Sequence, residues 1–296
     1  MATLYTHQSQ NVTKTWLLVG VFVAVVVGVG YVIAQYYGNP SILTFAIVLS
    51  IAMNIAGYWY SDRIALSLAR AVPAEGAEYI ELNRLVENLS ITAGLPKPAV
   101  YIIPDMAPNA FATGRDAKHA SVAVTAGLLS ILDRSELEGV IAHELAHIGN
   151  RDILLQSMVA ILVGCLSLVA DMFTRSLFFG GGRKSDDDSR GSNIFAIIGI
   201  AFIILSPIIA TMIQLAISRR REYLADATGA LLTRYPEGLA RALEKISQYG
   251  APMKSASNAT AHMYISNPFG GGKVSGLFMT HPPAEKRIAI LRDSAK

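Results

Sequence analysis

Cysteine is almost missing from this chain. Its one copy, Cys165, lies inside an apolar run, which excludes an intramolecular disulfide framework and a cysteine-rich zinc site. Charge is scarce as well: Asp, Glu, Lys and Arg are 16% of the 296 residues, against about 25% in an ordinary soluble protein. Together with a positive mean hydropathy, that shortfall points to a membrane. The net charge is only +3, with no basic stripe interleaved with aromatics, so nucleic acid is not expected as a partner. Nor is a cleaved leader expected. The first apolar run is longer than the about 7–15 residues of a signal-peptide core, and no small-residue cleavage site precedes Tyr36 and Tyr37.

In place of charge the chain has four long apolar runs, at 16–34, 42–60, 153–172 and 194–217. The first two carry no charge, and about 20 such residues cross a hydrocarbon core of about 30 Å. Gly38-Asn39-Pro40 joins them as a turn, with Tyr and Trp at the edges as interfacial anchors. Gln156 and Asp171 soften the third run, and Ser206, Pro207 and Gln214 interrupt the fourth; both are expected to span. Between them, residues 180–193 are low in complexity, carry both signs of charge, and read as a disordered loop.

The expected organisation is a polar tail at 1–15, a membrane hairpin at 16–60, the first part of a globular domain at 61–152, a second hydrophobic pair at 153–217, and the rest of the domain at 218–296. Within the globular parts, the patterns predict helices over 77–93, 135–149, 219–232, 236–248 and 284–292. Strands are predicted at 99–103 and 120–125, with a loop or broken strand at 108–114. The fold class is α+β: a mainly helical membrane protein with a small sheet and about four transmembrane helices.

One of these helices carries chemistry. Ser135 and Glu138 read as its capping box, Leu137, Ile141 and Leu145 repeat at four-residue spacing, and Gly149 reads as its stop. Inside it lies His143-Glu144-Leu145-Ala146-His147, an H-E-x-x-H motif. Helical geometry sets the two histidines about 40° apart round the axis and roughly 6 Å apart along it, so both reach one metal. Glu144 is left beside the metal as a base. The alternative is a surface helix with two incidental histidines, but cap, periodicity and motif agree in phase.

Two histidines leave a catalytic zinc ion one protein ligand short. His119, His262 and His281 are candidates, but Glu222 has the better context, on a predicted helix with Asp226 one turn later. That spacing lets one carboxylate bind metal while the other accepts a ring N–H from a ligand histidine. Spacing alone leaves a second reading open, in which Glu222 and Asp226 pair with Arg219, Arg220 and Arg221 on a solvated face.

The set formed by His143-Glu144-Leu145-Ala146-His147, Pro108-Asn109-Ala110-Phe111-Ala112, Arg219-Arg220-Arg221-Glu222-Tyr223-Leu224-Ala225-Asp226 and Thr280-His281-Pro282-Pro283, laid over four apolar runs, resembles the HtpX-type membrane zinc metalloproteases, relatives of the CaaX prenyl proteases. The resemblance covers nearly the whole chain. It implies Glu222 as third ligand to one Zn2+ per chain, a gluzincin-like fold, and endoproteolysis of misfolded or damaged membrane proteins in bacterial quality control at the inner membrane.

The chemistry expected is attack of zinc-activated water on a peptide carbonyl, with Glu144 taking the proton and passing it to the leaving amine. His281, before a double proline, is expected either to donate to the developing oxyanion or to serve only as a capping or packing residue. The edge of the 120–125 strand, at Ser121 and Val122, is expected to pair with an extended substrate, with Asn109 and Ala110 nearby. Expected partners are the bilayer and membrane-protein or unfolded polypeptide substrates. The rival readings are a CaaX-type processing protease, for which four runs are few, and a silent zinc-containing adaptor, which has no use for Glu144. Arg63, Arg70, Arg84 and Arg219–221 follow the second and fourth runs while the 35–41 turn has no Lys or Arg, so both globular parts are expected in the cytoplasm.

Overall fold

The structure, a computed structural model, describes residues 4–164, 218–257, 259–270 and 282–294. It opens on a hairpin of two helices, α1 (Leu4–Tyr37) and α2 (Ser41–Trp59). Both are long and apolar enough to cross a membrane. The faces that the other described residues leave uncovered are themselves apolar: Leu17, Val32, Phe45, Val48 and Ile55 are each more than half exposed. A soluble protein rarely leaves such a surface in water, whereas lipid covers it at no cost.

The polar stretch expected as a tail is instead the first turns of α1. The helix is continuous from Leu4, and Asn11 and Thr15 on its inner face are buried. The described part of the third apolar run is α7 (Asp152–Gly164), whose residues 152–163 are all buried. Leu155, Val159, Leu162 and Val163 pack on Leu18 and Phe22 of α1. α7 is tied into the core by polar contacts: the Ser157 hydroxyl lies 2.8 Å from that of Thr113, and the backbone carbonyl of Gln156 accepts from His262 Nε2 at 2.9 Å. The fourth run and the 180–193 loop lie outside the described residues.

After α3 (Ser61–Leu68) comes a four-stranded sheet of β1 (Val72–Pro73), β2 (Ala99–Ile103), β3 (Ala110–Gly114) and β4 (Ala120–Thr125), in the order β1-β2-β4-β3. β2 and β4 run parallel; β1 and β3 are antiparallel to their neighbours. Period-two alternation splits the strands between two cores. Val100, Ile102, Ala110, Ala112, Val122 and Val124 face α4 (Ile80–Ala93) and α6 (Arg134–Gly149), while Ile103, Phe111 and Ala123 face α3, Met263 and Tyr264. Covered on both faces, all six residues of β4 are buried. The short α5 (Ala126–Ile131) leads into α6, and α8 (Arg219–Thr233), α9 (Pro236–Gln248) and α10 (Ala284–Asp293) complete the helical layer around it, close to their expected bounds.

Candidate metal centre

α6 starts one residue before its expected position and with a different cap. Asp133, not Ser135, is the N-cap: its carboxylate accepts from the Glu136 N–H at 2.9 Å, and Glu136 accepts from the Asp133 N–H at 2.8 Å. Two overlapping boxes are written into the sequence, and the earlier one wins because Glu136, when buried, also takes Lys245 Nζ at 2.7 Å. Glu138 is left to pair with Arg134. From Gly139 to Ile148 every residue of α6 is buried, so the helix is a central rod whose polar groups must find partners within the protein.

Two glycines let the other helices approach. A Cβ on Gly139 would stand 2.6 Å from the Leu239 nitrogen of α9, and one on Gly229 of α8 would stand 3.0 Å from the His143 nitrogen. Gly229 is two helical turns from Glu222 on the same face of α8, so this contact brings Glu222 to the histidines. His143, His147 and Glu222, all buried, put one ligand atom each within 4.8 Å of one another. The two Nε2 atoms are 3.1 Å apart, and the Glu222 oxygens lie 3.8 Å from that of His143 and 3.6 Å from that of His147.

Behind each imidazole stands a carboxylate. His143 Nδ1 meets Asp226 Oδ1 at 2.9 Å, and His147 Nδ1 meets Asp152 Oδ2 at 2.9 Å. Each Nδ1–H therefore donates backwards and each Nε2 is turned forwards, where His143 presents a lone pair and His147 presents one once its Nε2 proton is shed. Asp226 is gripped by buried Arg287 through two bonds, of 2.8 and 2.6 Å. Arg287 also donates to the Ile265 carbonyl at 3.1 Å and lies 3.7 Å from Glu222.

This donor set fits a divalent cation. With both rings neutral, two lone pairs and a carboxylate converging in a buried space repel one another unless a cation sits among them. The Nε2 separation also suits tetrahedral zinc, whose nitrogen ligands at about 2.0–2.1 Å stand roughly 3.3 Å apart. Charge agrees: with the rings neutral and the carboxylates ionised, as ligation requires, buried Glu144, Asp152, Glu222 and Asp226 against buried Arg221 and Arg287 leave a balance of two negative charges.

Electrostatics sets the three motif side chains apart. Burial drives His143 down to about 4 against the pull of Asp226. Burial works to lower His147 as well, but Asp152, with Glu222, outweighs it and holds that ring up at about 9. Glu144, buried beside them, is pushed up to about 7 by desolvation, with Glu222 adding to the rise and His147 and the Ala112 N–H opposing it.

A family model described as Peptidase family M48 matches residues 77–295, which include all three converging residues. The chain belongs to peptidase family M48. It is 49% identical over 294 residues to a Protease HtpX homolog of Thermoanaerobacter pseudethanolicus, covering 98% of this chain and 97% of that one. A Protease HtpX homolog of Pyrococcus furiosus is 49% identical over 284 residues, 95% of each chain. The crystal structure of S. mikatae Ste24p matches with a TM-score of 0.51 at 17% identity, covering 97% of this chain and 66% of that one, a likeness of fold. This M48 chain is accordingly a metalloprotease.

The other expected site residues divide. His119 is exposed and tied to Asp116 at 2.8 Å, while His262 is buried with Nε2 on the Gln156 carbonyl, so neither joins the M48 cluster. His281 lies outside the described residues. Ser121 and Val122 are not at a sheet edge: β4 is paired on both sides, and among the described residues the edge strand beside Glu144 is β3. Asn109 and Ala110 are engaged internally. The Asn109 amide donates to the Ser266 carbonyl and accepts from its N–H, and the Ala110 carbonyl accepts from Ile265 at 2.9 Å. Sequence reasoning missed Asp152 and Arg287. The one trace of Arg287 was its place four residues before Leu291, in the buried stripe of α10.

Proposed function

We propose that this M48 chain is a zinc endopeptidase that cleaves misfolded or damaged membrane proteins next to a bacterial inner membrane, with its site on the cytoplasmic side. The observation that carries the reading is the buried convergence of two back-bonded histidines and Glu222, with the unliganded carboxylate of Glu144 beside them. His143, His147 and Glu222 would hold the ion. Bound there, it supplies a Lewis acid that polarises the scissile carbonyl and makes water acidic enough to lose a proton near neutral pH.

The chain's own residues do the rest. Asp226 and Asp152 fix the tautomer and direction of the two rings. Glu144, with its proton affinity raised by burial, takes the proton of the attacking water onto its carboxylate and delivers it to the leaving nitrogen. Main-chain pairing of an extended peptide with β3 would fall to the Ala112 carbonyl and would require this buried strand to be uncovered, since the Ala110 carbonyl and the Gly114 N–H are taken within the protein and the Ala112 N–H meets Glu144. Recognition of that kind reads backbone rather than side chains, which suits unfolded substrates. His281 is the proposed oxyanion donor; His281→Ala should lower turnover and leave metal content unchanged.

Nearness to lipid supports the substrate class. Asn11 contacts Asp152 beside His147, and the apolar run begins at Trp16, about 7.5 Å further along α1. The test is hydrolysis of casein by purified protein, with and without a chelator and restored zinc, beside a prenylated CaaX peptide. Chelator-sensitive casein cleavage is expected. Cleavage of the prenylated peptide alone would move the reading to a processing protease, and failure of both would leave a silent adaptor.

A further inference from the structure

Asp226 and Asp152 do the same work for the two ligand histidines, yet they are held differently. Asp226 is clamped by Arg287 at 2.6 and 2.8 Å. The arginine nearest Asp152, Arg221, is 3.5 Å from it. The short bond to Asp152 comes instead from the far end of the chain: Asn11 Nδ2 donates to Asp152 Oδ1 at 2.6 Å, across 141 positions of sequence. The same Nδ2 group donates to the Asn150 carbonyl at 3.2 Å, and Asn11 Oδ1 lies 3.5 Å from an Arg221 nitrogen.

These contacts straddle a turn that needs holding. α6 ends at Gly149, and Asp152 can face back to His147 only because Arg151 between them takes φ +58. That left-handed conformation is unfavourable for a residue with a Cβ and persists where its surroundings impose it. Asn11 bonds both flanks of the turn, the Asn150 carbonyl before it and the Asp152 carboxylate after it. An asparagine 4% exposed in the first turns of a hydrophobic helix is otherwise costly.

We propose that Asn11 is a positioning residue of the metal centre: its side-chain amide clamps the 150–152 turn and so holds the Asp152 carboxylate that orients His147. The start of the first membrane helix is then a working part of the active site as well as an anchor. This inference rests on the metal reading above.

The experiment uses full-length protein in detergent, stripped of metal and titrated with zinc against a competing chelator. Asn11→Ala and Asn11→Leu remove the amide, and since both residues are better helix formers than Asn, neither weakens α1. Both should raise the zinc Kd by about 10- to 100-fold, the usual cost of losing an outer partner of a ligand. The metal-free melting temperature should stay close to that of the parent, and kcat in excess zinc should fall with KM little changed. In an Asp152→Asn background, where the relay is already cut, Asn11→Leu should change Kd by less than about twofold. Thr13→Ala, on the exposed side of the same turns, is the control. An unchanged Kd in Asn11→Leu overturns the proposal. So does a variant already unfolded without metal, because Asn11 would then serve folding rather than His147. If the parent protein binds no zinc, the metal reading itself fails and takes this inference with it.

Discussion

Glu144 and Glu222 are the same side chain, buried close enough to repel one another, and the proposed roles predict opposite failures. Glu144→Gln keeps size and hydrogen bonding but removes the base, and should give a folded, zinc-loaded, inactive protein. Glu222→Ala removes an oxygen ligand and should lose metal together with activity, while Asp226→Ala should weaken metal binding by about 10- to 100-fold. Metal content by mass spectrometry beside the casein assay separates them; a zinc-free Glu144→Gln or a fully loaded Glu222→Ala would reverse the assignment. His147 predicts a pH effect. A ring held up at about 9 is protonated on both nitrogens at pH 7, so its Nε2 must shed a proton before it can ligate. Zinc binding at pH 7 should therefore release about one proton, and the apparent affinity should fall about tenfold for each pH unit below 9. Calorimetry in two buffers of different ionisation enthalpy reads the proton directly, and buffer-independent heat would contradict it.

Among the elements, the close contact of α6 with α8 explains why a glycine sits in the middle of a helix, where Ala would be better by about 0.5–1 kcal/mol. Gly229→Ala puts a methyl 3.0 Å from the His143 nitrogen and 3.2 Å from its Cα. Backbone atoms yield little, so the substitution should destabilise by about 1–3 kcal/mol despite the gain in propensity. Because Glu222 rides on the same face of α8, zinc affinity should fall as well; a melting temperature at or above the parent's would show that the two helices slide apart freely. What was legible in the sequence follows the range of the interactions. H-E-x-x-H and the bounds of α9 are set by spacing within one helix, and periodicity reports that; for Glu222 with Asp226 spacing left a solvated pairing with Arg219–Arg221 open, and only the family resemblance chose between them. The cap slipped from Ser135 to Asp133 because two boxes overlap and only the tertiary partner Lys245 decides between them. β4 looked like an edge because alternation shows which face a residue takes, not which strand lies beside it, and the order β1-β2-β4-β3 hides it in the middle. Asn11, Asp152 and Arg287 meet their partners across 141, 5 and 61 positions. The middle contact, short as it is, depends on a left-handed arginine that nothing in the sequence announces.

At the scale of the molecule, the helical layer and sheet form one core that joins Leu85 and Val86 of α4 to Ile246 of α9, so both globular parts must lie on one side of any membrane that α1 and α2 cross. With Cys165 replaced by Ser, single cysteines at the exposed positions Glu87 and Lys254 should react with an impermeant reagent in inverted vesicles and not in intact cells; reaction at either in intact cells would overturn the cytoplasmic placement. The division of the ligands between α6 and α8 has a further effect, on time. Glu222 follows His147 by 75 positions, an interval of roughly 4–15 s at about 5–20 residues per second of synthesis. Throughout it the growing chain displays its two histidines and Glu144 without the third ligand, and Arg287, which grips Asp226, arrives later still. A ribosome that stalls anywhere before α8 therefore leaves an inert fragment, and peptidase activity cannot precede the synthesis of Glu222.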